Sequence, residues 1–117
     1  MLIPLLEDKA FLENLDDILA VEGLDALCFG PSDYALSLGL NLLHDFNHPK
    51  LVETFEKVVE VGKQKGLPII AAVNPCTVEQ SQKLSDTGVR FQLFGADLGL
   101  ISAAFKDVMQ NVVSKVR

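Results

Sequence analysis

Apolar positions along this chain follow two rhythms that alternate four times. Short, largely apolar runs occur at residues 2–6, 26–29, 69–73 and 91–94, the last interrupted only by Gln92. Runs of that length without a polar face predict strands buried on both sides. Between them the spacing becomes helical. Phe11, Leu12, Leu15, Ile18 and Leu19 share one stripe, with Glu13, Asp16 and Asp17 outside it. A second stripe is Leu51, Val52, Phe55, Val58, Val59 and Gly62; a third helix is predicted over 78–88. Ile101, Ala104, Phe105, Val108, Val112 and Val116 form a fourth, long stripe.

The punctuation agrees with these elements. Asp8 and Asp97 are placed to cap helices, and Pro49 suits a first helical turn. Gly23, Gly66 and Gly88 are natural stops, each a few residues before the next strand. After the second strand Gly30-Pro31 turns the chain sharply, and Ser32 and Asp33 open a short helical run ending near Gly39. Residues 41–48 are polar and irregular and are read as a loop. Four strands each followed by a helix specify an α/β fold: four βα units with parallel strands and right-handed crossovers. A small doubly wound sheet and part of a (β/α)8 barrel both fit. A whole barrel takes about 250 residues, so these 117 would make about half of one, as a single domain over 1–117.

Composition narrows the setting. Hydrophobic residues make up 49% of the chain and the mean hydropathy is +0.28, which suits a sheet covered on both faces. No run approaches the ~18 apolar residues of a membrane span. The start of the chain lacks the basic region and cleavage site of a secretory signal, so a cytoplasmic setting is expected. The net charge of −6, with no basic cluster, argues against nucleic acid and against an anionic membrane surface. Cys28 and Cys76 have no CxxC spacing and are expected to be reduced thiols.

Glu7 and Asp33 fall where a strand ends and its helix begins, the edge that carries ligands in parallel α/β folds. Two carboxylates there can share a divalent cation, and the backbone N–H groups of Ser32 and Asp33 at a helix start can hold an anion. From the residues alone the ordinary role stays open: an acid in a first helical turn favours the helix dipole. His44 and His48 have no third ligand nearby and read as a solvated pair. Asp97 reads as a cap, residues 74–77 as a βα loop, and Tyr34 as packing under the short helix.

Residues 7–33, from Glu7 through Asn14, Asp16-Asp17-Ile18 and Gly23-Leu24-Asp25 to Gly30-Pro31-Ser32-Asp33, resemble the HpcH/HpaI aldolase family, class II pyruvate aldolases related to the citrate lyase β chain. The likeness continues through His48-Pro49, Lys65-Gly66-Leu67-Pro68 and Gly95-Ala96-Asp97. It implies the C-terminal half of a (β/α)8 TIM barrel, with Glu7 and Asp33 holding Mg²⁺ (Mn²⁺ or Co²⁺ being alternatives). It further implies a 2-keto acid substrate whose carboxylate meets Ser32 and Asp33. The reaction implied is metal-assisted cleavage of a 2-keto-4-hydroxy acid to pyruvate and an aldehyde. The family's Arg that contacts the keto acid and its proton-transferring His belong to the other half of the barrel, so no catalytic residue is assigned here. Phe11 and Asp8 replace a small residue and a Thr or Ser. The alternative is a truncated, catalytically incompetent half-barrel that keeps the fold and perhaps the metal. The unpaired edges of the first and last strands imply a homo-oligomer, two copies closing eight strands.

Overall fold

The computed structural model describes residues 1–40 and 47–116. Its strands are β1 (Leu5–Leu6), β2 (Leu27–Phe29), β3 (Ile69–Ala72) and β4 (Phe91–Leu93), joined side by side in the order β1-β2-β3-β4. All three pairings are parallel. The helices among the described residues are α1 (Lys9–Glu13), α2 (Leu15–Leu19), α3 (Pro31–Ser37), α4 (Pro49–Lys65), α5 (Val78–Thr87) and α6 (Asp97–Asn111), with a 3₁₀ turn at Val113–Lys115. The α/β class and the four βα units are therefore as the spacing predicts.

The strands are shorter than the apolar runs, and they are not buried on both faces as expected. Leu6, Leu27, Phe29, Ile69 and Ala71 face the helices and are buried. On the opposite face Leu5, Cys28, Ile70 and Phe91 lie in one row across all four strands. Leu5 is 53% and Phe91 57% exposed, with Leu93, beside Ala72, at 50%. The apolar runs record a sheet whose second face has no cover within the described chain.

Local chemistry explains other departures. The predicted first helix is broken at Asn14, whose side-chain amide donates to the Ala10 carbonyl and whose backbone sits at φ −109°, ψ 17°. An Asn side chain that competes for backbone acceptors divides the segment. Asp8 does cap it, accepting from the Phe11 N–H at 3.0 Å. Helix α2 ends at Leu19, short of Gly23, which instead turns the chain at φ +82°. Asp97 is the first helical residue rather than the cap; Ala96 holds the cap position and Asp97 accepts from the N–H of Leu98. Gly66 and Gly88 end α4 and α5 in the left-handed conformation, as glycines placed there should.

The core lies between the sheet and α1–α5. Phe11, Phe29, Tyr34 and Phe55 form a tilted aromatic group with centroids 5.4–6.2 Å apart. Tyr34 is buried, and its hydroxyl accepts from Thr54 Oγ1 at 3.1 Å. Helix α6 stands apart: none of its residues is buried, and Leu98, Ile101, Phe105 and Val108 are exposed.

Candidate functional site

The C-terminal strand ends define a rim. Leu6 pairs with Phe29, so Glu7, the next residue, comes opposite Gly30. The Gly30 N–H donates to the Leu6 carbonyl at 3.0 Å, which fixes the two chain ends together. Glu7 lies across the glycine. A Cβ added at Gly30 would sit 2.9 Å from Glu7 Cβ and 3.2 Å from Glu7 Oε2. The absent side chain is thus what lets the carboxylate occupy this part of the rim.

Gly30 also occupies the cap position of α3 and brings no side chain to cap it; Pro31 follows with no N–H of its own. The first free N–H groups of the helix therefore belong to Ser32 and Asp33, which are both exposed. Asp33 is the acid of that first turn. The next residue, Tyr34, is buried in the aromatic group, and its N–H closes the helix on the Gly30 carbonyl at 3.0 Å. Glu7 and Asp33 thus start from adjacent strand ends, both next to residues anchored in the core.

Sequence reasoning missed two residues here. Gly30 had been read only as a turn former; the pairing of Leu6 with Phe29 makes it the floor under Glu7. Cys28 had been read as a buried strand residue. It lies half-buried on the uncovered face, where burial pushes its thiol pKa up and the nearby Glu7 carboxylate adds to the rise. Both cysteines are free thiols.

The other candidates are placed elsewhere. His48 caps α4, its Nδ1 accepting from the Lys50 N–H at 3.3 Å, and it does not join the rim acids in a cluster. His44 lies outside the described residues. Among the described residues no three His, Cys, Asp or Glu side chains gather as a metal cage. A cation at this rim would have two carboxylates as its protein ligands, which is how Mg²⁺ is ordinarily held. No helix among the described residues is long and apolar enough to cross a membrane.

Comparison with known proteins agrees with this architecture. The sequence profile of the family described as HpcH/HpaI aldolase/citrate lyase matches residues 1–104. The 5-keto-4-deoxy-D-glucarate aldolase of Citrobacter koseri is 32% identical over 101 residues, covering 85% of this chain and 37% of that protein. Among solved structures, an HpcH/HpaI aldolase/citrate lyase family protein from Burkholderia cenocepacia J2315 superposes with a TM-score of 0.78 at 27% identity, over 94% of this chain and 41% of its own. The citrate synthase SbnG gives a TM-score of 0.87 at 26% identity, over 98% of this chain and 45% of its own. The chain spans little more than a third of the length of its curated relatives, and its four βα units correspond to part of their barrel-type fold.

Proposed function

Because this chain belongs to the HpcH/HpaI aldolase/citrate lyase family, we propose that its rim is the metal end of a class II lyase site, one that cleaves a 2-keto-4-hydroxy acid to pyruvate or a related keto acid and an aldehyde. The observation that carries this reading is the Glu7 carboxylate laid over Gly30, at the strand end from which α3 and Asp33 begin. The C. koseri relative, an aldolase named for a keto acid, supports the substrate class.

The residues present fit a divalent cation. Both donors are hard carboxylate oxygens, which suit Mg²⁺ and also accept Mn²⁺ or Co²⁺. Glu7 and Asp33 would hold the cation, which would supply Lewis-acid polarisation to the keto acid. The chain's own groups orient the substrate. The N–H groups of Ser32 and Asp33 receive its carboxylate at the start of α3, where the helix dipole adds to the attraction. Burial, and then the Glu7 carboxylate, push the Cys28 thiol pKa up.

The test is Mn²⁺ binding by calorimetry together with pyruvate release from a 2-keto-4-hydroxy acid. Glu7→Ala and Asp33→Ala should each abolish both. Binding that is unchanged in either variant refutes the site. A second reading, binding without turnover, is favoured by the uncovered inner face of the sheet, which leaves water free to reach the rim. It gives a clear signature: Mn²⁺ binding lost in both variants, with no pyruvate from the unaltered chain.

A further inference from the structure

We propose that Tyr34 is a positioning residue for the rim. Packed against Phe11 and Phe29 and held at its hydroxyl by Thr54, it sets where the first turn of α3, and so Asp33, stands relative to Glu7. The proposal rests on the reading of the rim as a metal site, and it names what keeps that site's two acids in place.

Each of three buried rings is tied by backbone bonds to one part of the rim. Phe29 immediately precedes Gly30, whose N–H donates to the Leu6 carbonyl, next to Glu7, at 3.0 Å. Tyr34 immediately follows Asp33, and its own N–H donates to the Gly30 carbonyl at 3.0 Å. The Phe11 N–H donates to the side chain of Asp8, the residue after Glu7, at 3.0 Å. Underneath, the rings close the arrangement. Tyr34 lies 5.4 Å from Phe11 and 5.7 Å from Phe29, centroid to centroid, closer than the 6.2 Å between those two. It is the member that joins the α1 side of the rim to the α3 side. Aromatic neighbours hold preferred relative tilts, and a close-packed interior passes a displacement on.

Helix α3 has little else to fix it. It is seven residues long, its cap residue Gly30 brings no side-chain bond, and only Tyr34 and Ala35 of it are buried. The tyrosine is therefore the one large buried side chain of the helix. Its grip has a direction because of α4. Leu51, Val58 and Val59 seat that helix in the core, and two of its consecutive residues reach the rings. Phe55 packs against Phe29 at 5.8 Å, and Thr54 Oγ1 donates to the Tyr34 hydroxyl at 3.1 Å. A buried hydroxyl pair adds little stability over an apolar pair of the same shape. What this pair supplies is orientation: the bond at its tip stops the ring from sliding in its own plane.

The double substitution Tyr34→Phe/Thr54→Val removes that bond without stranding either hydroxyl, so the melting temperature should stay near that of the unaltered chain. Mn²⁺ affinity by calorimetry should nevertheless fall about 10-fold, the lower end for groups that orient a ligand without touching the metal. Hydrogen exchange of the Tyr34 amide, read by NMR, should quicken, because its acceptor is the Gly30 carbonyl. Leu84→Ala, a core truncation in α5, is the control: it should lower the melting temperature and leave Mn²⁺ affinity as it was. If the double variant also melts lower, the same comparison separates a misplaced acid from a looser fold. Unchanged affinity in the double variant, or an equal loss in Leu84→Ala, overturns the positioning role while the metal reading stands. An affinity loss with unchanged Tyr34 exchange also overturns it, since α3 would not have moved. An unaltered chain that binds no Mn²⁺ overturns both.

Discussion

Replacing Gly30 with alanine tests the rim without touching either acid. The backbone there has φ −102° and ψ 84°, so the change introduces no left-handed strain. Its whole effect is steric. The new methyl would stand 2.9 Å from Glu7 Cβ, 3.2 Å from Glu7 Oε2 and 3.6 Å from Leu5 Cδ1. Carbon atoms prefer about 3.5–4.0 Å, so the first contact is short by more than half an ångström. Rotating the Glu7 side chain cannot relieve it, because Cβ is fixed to the backbone. The end of β1 must move away from β2, straining the bond from the Gly30 N–H to the Leu6 carbonyl. Overpacking of this kind costs about 1–3 kcal/mol, or a Tm lower by about 4–15 °C. A displaced positioning group typically costs about 10–100-fold in metal affinity.

The assay is a thermal melt paired with Mn²⁺ calorimetry. Gly99→Ala is the control: nothing lies within 4 Å of a Cβ there, and alanine favours its helix. It should leave binding unchanged. A Gly30→Ala protein that melts lower yet binds Mn²⁺ normally would remove Glu7 from the proposed metal site. One that neither melts lower nor binds differently would show that Glu7 does not lie over Gly30.

Two further outcomes follow from the same neighbourhood. Tyr34→Phe removes the acceptor of the buried Thr54 hydroxyl and should cost about 1–3 kcal/mol in denaturant unfolding; an unchanged midpoint would show that Thr54 finds another acceptor. Burial and then Glu7 hold the Cys28 thiol above the ordinary range, so iodoacetamide at mildly alkaline pH should modify Cys28 more slowly than the exposed Cys76. A thiol whose pKa is raised on folding adds stability below its unfolded pKa, about 8.5, and that stability fades as pH rises through the folded value. Cys28→Ser should therefore flatten the alkaline end of the stability profile, and equal alkylation rates would refute the placement.

The order of elements was legible because each rests on local chemistry. Asp8 accepts an N–H, Pro49 begins α4, and Gly66 and Gly88 end their helices whatever the distant chain does. Asn14 was misread because a single side-chain bond to Ala10 outweighs a good apolar stripe, and spacing alone does not register that competition. The face of the sheet was misread for a different reason. A continuous apolar run says that both sides of a strand avoid water, but not which chain does the covering. Leu5 and Phe91 satisfy the pattern and still stand open, with Cys28 and Ile70 half-buried between them.

The same distinction separates the two acids from the glycine between them. Glu7 and Asp33 could be singled out because carboxylates at strand ends are visible in one dimension. Gly30 could not, since its role depends on the pairing of Leu6 with Phe29, a relation between residues 23 apart. A one-residue slip in that pairing would put Glu7 opposite Phe29 or Pro31, and either side chain would fill the space the carboxylate now occupies. The proposed metal end of the rim would therefore be specified jointly, by two residue types and one register. That explains why a substitution at an uncharged, unreactive position is the sharpest test of it: it perturbs the register-dependent contact while both acids keep their chemistry.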